Sequence, residues 1–170
     1  MTIHQINDLG RSEFVRALGR VFEHSPWVAE RCWGHRPFAS LEELNETMES
    51  TVESAPRAEQ VALLRAHPDL GSRAQMSASS VDEQAAVGLH RLTQAEYARF
   101  HDLNEAYKSK FGFPFLFAVK GSNKFQILDA LARRVDSGAE EEFQTAMRQV
   151  FRIARFRLQD LIAEHPQETE

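Results

Sequence analysis

Apolar residues recur along this chain at spacings of three and four, the mark of helices with one buried stripe, and no stretch keeps the period of two that a half-buried strand requires. Phe14, Val15, Leu18, Val21 and Phe22 form the first stripe, with Ser12 ahead of it as N-cap and a break at Ser25-Pro26. Pro26 suits the first turn of a short second helix, where a missing N–H leaves nothing unpaired. Ser40 and Glu43 form a capping box ahead of Leu41, Leu44, Met48 and Val52, and Pro56 is the expected terminator. Val61, Leu63 and Leu64 mark a fourth helix, which must stop near His67 because Pro68 disfavours helical backbone at the residue before it. The segment 69–79 is polar and rich in small residues. Ser80 with Glu83, then Thr93 with Glu96, make further capping boxes that open one helix through Leu92 and another to about Phe111, where Gly112 supplies the C′ residue. A helix from about Asn123 to Val135 and a last one from about Ala139 to Glu164 complete an all-α reading, a single-domain bundle of about seven to nine helices over residues 1–170.

Composition narrows the function classes. With 42% hydrophobic and 26% charged residues over 170 positions, the chain is neither disordered nor fibrous and can bury a core that encloses a small-molecule site. The 20 Lys and Arg against 25 Asp and Glu leave a net charge of -5, the wrong sign for a phosphate-backbone binder, so no nucleic-acid partner is expected. The uninterrupted apolar runs are short, the longest lying between Phe113 and Val119, and neither a signal-peptide pattern at the N-terminus nor a peroxisomal or prenylation motif at the C-terminus is present, so no membrane partner is expected. A single cysteine, Cys32, rules out an intramolecular disulfide and a multi-cysteine zinc site, and a cytosolic location follows as the expectation.

Few residues stand out as chemistry. The last helix carries Phe143, Met147, Val150, Ala154 and Leu161 along one face, and Arg157 projects within roughly 40° of that stripe's centre, whereas Arg148, Arg152 and Arg155 point to the far side. A guanidinium there cannot lose its proton, so it must meet a protein carboxylate, snorkel outward along its stem, or bind an anionic ligand. His67, at a helix exit beside a rigid proline and a polar loop, can take and give a proton near neutral pH or can simply bond the last free carbonyls of its helix. Glu83 sits at N3 of its capping box; with Ser80 and Gln84 it also gathers polar groups at a helix N-terminus. The aromatic run from Phe111 to Gly121 contains Pro114 and reads as an extended, buried connector whose peptide groups need partners, which a planar polar ligand could supply. Cys32 beside Trp33 reads as a small packed hydrophobe. His4, His24, His35, His90, His101 and His165 show no metal-ligand spacing, and no metal site is expected.

Taken in order, Ser25-Pro26-Trp27-Val28, Arg36-Pro37-Phe38, His67-Pro68-Asp69-Leu70, Ser80-x-x-Glu83-Gln84, Leu103-Asn104-x-x-Tyr107, the Lys110 to Gly121 run and Arg155-Phe156-Arg157-Leu158 resemble the 2-oxo-4-hydroxy-4-carboxy-5-ureidoimidazoline decarboxylases over nearly the whole chain. The resemblance implies a cofactor-free, all-α, commonly homodimeric enzyme of urate breakdown that releases carbon dioxide and forms (S)-allantoin. It puts the catalytic histidine on His67, the active-site glutamate on Glu83, and the substrate-binding arginine on Arg157 rather than Arg155, in agreement with the stripe. Pro68, Ser80 and Gln84 match positions near the ligand, and the run from Phe117 to Val119 matches the part whose backbone groups the family uses. Arg155 replaces a commonly acidic residue, a change expected to alter a surface only. Two other classes remain: a helical binding module, which needs no His67, and a metal-dependent hydrolase, which a chelator would inactivate.

Overall fold

The computed structural model of the chain describes residues 1–71, 89 and 92–162, and among these are eight α-helices, one 3-10 turn and no strand. The fold is all-α, and its helix starts follow from side chains that satisfy otherwise unpaired N–H groups. α1 (Ile3–Asp8), which the hydrophobic pattern did not reveal, is capped by Thr2: its hydroxyl accepts the Gln5 N–H while the Gln5 side chain accepts the Thr2 N–H. α2 (Arg11–Leu18) starts after Gly10, whose N–H bonds the Glu13 carboxylate, so Ser12 lies inside the first turn and is not the cap. The helix also stops earlier than Ser25-Pro26, because three-residue turns take over: the Val21 N–H donates to Leu18 and the Ser25 N–H to Phe22.

Pro26 is the N-cap of α3 (Trp27–Cys32), one position earlier than expected, and a 3-10 turn at Trp33–His35 follows. Ser40 caps α4 (Leu41–Glu53) by accepting the Glu43 N–H at 3.1 Å, but the Glu43 carboxylate reaches one residue further back, to the Ala39 N–H at 2.6 Å. Pro56 does not end α4, which closes at Ser54; its carbonyl instead accepts the N–H groups of Glu59 and Gln60 and opens α5 (Arg57–Ala66). Thr93 and Glu96 form the reciprocal box that starts α6 (Gln94–Phe111), and Gly112 ends it at φ 76°, a left-handed conformation that glycine adopts without a Cβ clash. Asn123 and Gln126 do the same for α7 (Lys124–Arg134), and α8 (Ala139–Leu161) is the longest element. The helix expected to open at Ser80 and Glu83, and the end expected at Glu164, lie outside the described residues.

Packing gathers the described residues into two compact units, one from 1–66 with 151–162, the other from those between 67 and 150, and α8 contributes to both. In the first, Phe14, Leu18, Leu44, Met48, Leu63 and Leu64 are fully buried, and Ala154 and Leu158 of α8 are buried too, as is Ile162 just beyond its end. Leu161, expected in that stripe, is 40% exposed, because the buried face of α8 turns onto Leu158 and Ile162 in its last turns. Asn7 ties the N-terminal turn to the chain before α4: its amide donates to the Phe38 carbonyl and accepts the Phe38 N–H, both at 2.8 Å. Arg155 is exposed and pairs with Glu42 at 2.6 Å, a surface contact as expected for that position.

In the second unit the segment 112–123 carries no regular structure and is held from within. Tyr107 packs against Phe111, Phe113 and Phe115, and its hydroxyl donates to the buried Glu142. Arg134 donates to Glu142 from Nε at 2.8 Å and to the Leu116 carbonyl from Nη1 at 2.7 Å, its guanidinium lying 4.5 Å from the centre of the Phe115 ring. Burial and the neighbouring Glu142 carboxylate push the Tyr107 phenol well above its ordinary value, so it is a donor at all working pH. The turn just after His67 is pinned in the same way: Asp69 accepts from the Gly71 N–H at 2.9 Å, from Asn104 Nδ2 at 2.6 Å and from Lys108 Nζ at 2.6 Å.

Two stability predictions follow from these clusters. Tyr107→Phe removes a donor to a buried carboxylate that still has Arg134, and is expected to cost about 1.5–3 kcal/mol in urea denaturation; Glu142→Ala strands the guanidinium and is expected to cost more, about 3–5 kcal/mol. Equal effects would show that Arg134 does not depend on Glu142. For Asp69, burial acts upward on the carboxyl, but the bonds from Lys108, Gly71 and Asn104 outweigh it and hold it below the ordinary value. A depressed carboxyl stabilises the folded chain above its unfolded value and loses that contribution as pH falls through its folded one. Wild type should therefore exceed Asp69→Asn in stability at neutral pH, with the gap closing on acidification below the usual carboxylate range; a gap constant with pH would contradict this.

Candidate active site

His67 is the first residue beyond the last turn of α5 and is 6% exposed, an imidazole withdrawn from water at a helix exit. Pro68 keeps the helix from continuing, and Asp69 fixes what comes next by tying the chain to Asn104 and Lys108 on one face of α6, four residues apart. The histidine is therefore followed by a turn tied to α6. Asn104 is itself 4% exposed and its Oδ1 has no hydrogen-bond partner among the described residues, so this wall of α6 presents a buried acceptor.

The expected core-facing arginine is found as such. The Arg157 side chain is 12% exposed, whereas Arg148, Arg152 and Arg155 face solvent. One of the alternatives open from the sequence holds: Nη2 of Arg157 pairs with Oε2 of the buried Glu23 at 2.8 Å. The pair does not use up the guanidinium. Nη1 reaches the carbonyls of Arg20 and Val21 only at 3.4 and 3.5 Å, and the buried Nε has no acceptor among the described residues.

The connector carries no regular secondary structure, and much of it is buried, with Val119 at 3% exposed and Phe117 half-buried. Its peptide groups are partly used: the Ala118 N–H donates to Gln149 Oε1 at 2.9 Å, the Leu116 carbonyl accepts from Arg134, and the Val119 carbonyl accepts from the Ser122 N–H. The N–H groups of Phe117 and Val119 have no acceptor among the described residues. Two donors two residues apart, unpaired among the described residues, can meet an oxygen-rich planar ligand.

Ser80, Glu83 and Gln84 lie outside the described residues, while His67 and Pro68 share the Asp69 turn, Phe117 and Val119 share the connector, and Arg157 joins Glu23. Glu23 was not singled out from the sequence; the available signal was an acidic residue directly after the Val21-Phe22 end of an apolar stripe. Asp69 and Asn104 belong to quoted motifs, but their bond joins residues too far apart in the chain for spacing to reveal. Cys32 is buried with Sγ 3.2 Å from Thr51 Oγ1, and burial raises its thiol above the ordinary value, in keeping with a packed residue. Among the described residues no group of three or more His, Cys, Asp or Glu side chains could hold a metal ion, and no helix is long and apolar enough to cross a membrane.

Comparison with known proteins bears on this arrangement. Residues 7–159 match the sequence model of the OHCU decarboxylase family, OHCU being 2-oxo-4-hydroxy-4-carboxy-5-ureidoimidazoline. The decarboxylase of that name from Halalkalicoccus jeotgali is 45% identical over 95% of this chain and 92% of its own length, and that from Haloferax volcanii is 48% identical over 93% and 94%. A crystal structure of (S)-allantoin synthase superposes with a TM-score of 0.81 at 32% identity, covering 95% of this chain and 54% of that one. The span of the family match and these identities establish that the chain belongs to the OHCU decarboxylase family.

Proposed function

We propose that this protein is a carboxy-lyase that converts 2-oxo-4-hydroxy-4-carboxy-5-ureidoimidazoline to (S)-allantoin and carbon dioxide without a cofactor, a step of urate breakdown. The observation that carries the reading is family membership across the chain, with a buried histidine and an inward-facing arginine, its Nε buried and unpaired among the described residues, at the positions the family motifs assign. Breaking the bond to the carboxylate leaves its electron pair on the ring, and the conjugated ring imine can accept that pair. The proton must then reach the ureido-bearing carbon from one face, while the substrate hydroxyl loses its proton to become a carbonyl.

In this reading His67 steers the carboxylate region and moves the proton, and Glu83 holds or deprotonates the hydroxyl. Arg157 fixes ring or ureido oxygens and stabilises charge where water is excluded. Pro68, Ser80 and Gln84 line the ligand, and the donors of Phe117 and Val119 receive its oxygens. In this reading the enzyme is a cytosolic homodimer, and sedimentation checks the dimer.

Circular dichroism tests the activity directly. Uncatalysed decay has no chiral director and yields racemic allantoin, so generating the intermediate from urate in the presence of this protein should give faster decay and a single-handed signal. Racemic product at the spontaneous rate, with folded protein present, would refute the proposal. His67→Asn should lower kcat by ~10²-fold or more, the usual contribution of such a proton carrier; a loss of tenfold or less removes His67 from that role.

A further inference from the structure

Glu23 has no part in the motifs that point to the reaction, yet its placement bears on the arginine that does. The chain leaves α2 through three-residue turns and reverses at His24, a non-glycine residue at φ 46° in the left-handed region. Ser25 braces the reversal: its N–H donates to the Phe22 carbonyl at 3.1 Å and its hydroxyl to the Glu23 carbonyl at 2.9 Å. The turn sends His24 outward and Glu23 inward, with side chains 76% and 6% exposed. A left-handed non-glycine residue persists only where its surroundings over-determine it, and here the outcome of that strain is a carboxylate delivered to Arg157.

The pair is incomplete in an informative way. Glu23 meets Arg157 through one oxygen, at 2.8 Å from Nη2, while among the described residues its other oxygen is approached at 3.7 Å by the exposed His24 imidazole. A purely structural buried arginine is expected to have its donors met, as Arg134 does with Glu142 and the Leu116 carbonyl. Arg157 instead keeps a buried Nε with no acceptor among the described residues and an Nη1 at the long limit of two carbonyls. One end of the guanidinium is anchored and the rest is left unsatisfied.

We infer that Glu23 is a positioning residue, which orients the Arg157 guanidinium through Nη2 so that Nε is presented to an oxygen of the bound substrate. This rests on the reading of Arg157 as substrate-binding. Without the anchor the arginine rotates among its many rotamers, and the ordering is then drawn from substrate binding, which weakens the complex and misplaces the donor.

A double-mutant cycle on the decarboxylation of the intermediate generated from urate separates the two claims. Wild-type turnover and a loss of about 10²-fold in kcat/KM for Arg157→Ala test the underlying reading. Glu23→Gln keeps the shape but removes the charge, and should lower kcat/KM by about tenfold, chiefly through KM, with little further loss when added to Arg157→Ala. A structural role predicts the opposite, the same proportional loss in both backgrounds, and that result overturns the inference while leaving Arg157 in place. No effect of Arg157→Ala removes both. Should Glu23→Gln fail to fold, Glu23→Asp serves in its stead, its shorter reach giving a loss in the wild-type background that again vanishes in Arg157→Ala.

Discussion

A charge on the buried face of a helix has to be met, and α8 carries one in each unit: Glu142 near its start and Arg157 near its end. Each is answered by a partner of opposite charge, but to different degrees. Glu142 receives Arg134 and the Tyr107 hydroxyl, and Arg134 in turn takes the Leu116 carbonyl and the Phe115 ring, so every strong donor in that cluster has somewhere to go. Arg157 has Glu23 and little else. The saturated cluster holds a segment in place, whereas the unsaturated one retains hydrogen-bonding capacity that a ligand oxygen can take up.

The same economy of motion marks the other candidate residues. His67 stands at the end of the last turn of its helix, and Asp69 two residues on ties the chain to Asn104 and Lys108. The connector from Phe113 to Gly121 is irregular yet largely buried up to Val119, and Arg134 and Gln149 satisfy some of its peptide groups while its aromatic rings pack against Tyr107. Preorganisation of this sort suits the proposed reaction, since donors that already point where charge develops stabilise it without reorganising.

Much of the fold was legible from local chemistry. The Thr93–Glu96 box, the helix start near Asn123 and the Gly112 terminus each rest on contacts within a few residues, and each is found where the sequence puts it. The failures are local competitions between neighbours. Gly10 with Glu13 outdid Ser12 as a cap, and Pro56 opened α5 after α4 had already closed at Ser54. Leu161 was read as buried because an unvarying stripe was carried to the end of α8, where the buried face in fact turns onto Leu158 and Ile162.

Helical class, most helix limits, the core face of α8 and the presence of an unneutralisable charge on it are written in the chain, since periodicity and capping involve residues within a turn or two of one another. The motif order likewise marked His67 and Arg157 before any coordinates. What meets those charges was decided by tertiary structure alone. Arg157 could have paired with any of many carboxylates or with none, and only the left-handed turn at His24 selects Glu23. In the same way Asp69 finds Asn104 and Lys108, and Glu142 finds Tyr107, through packing that joins distant segments, for which no local propensity exists to be read.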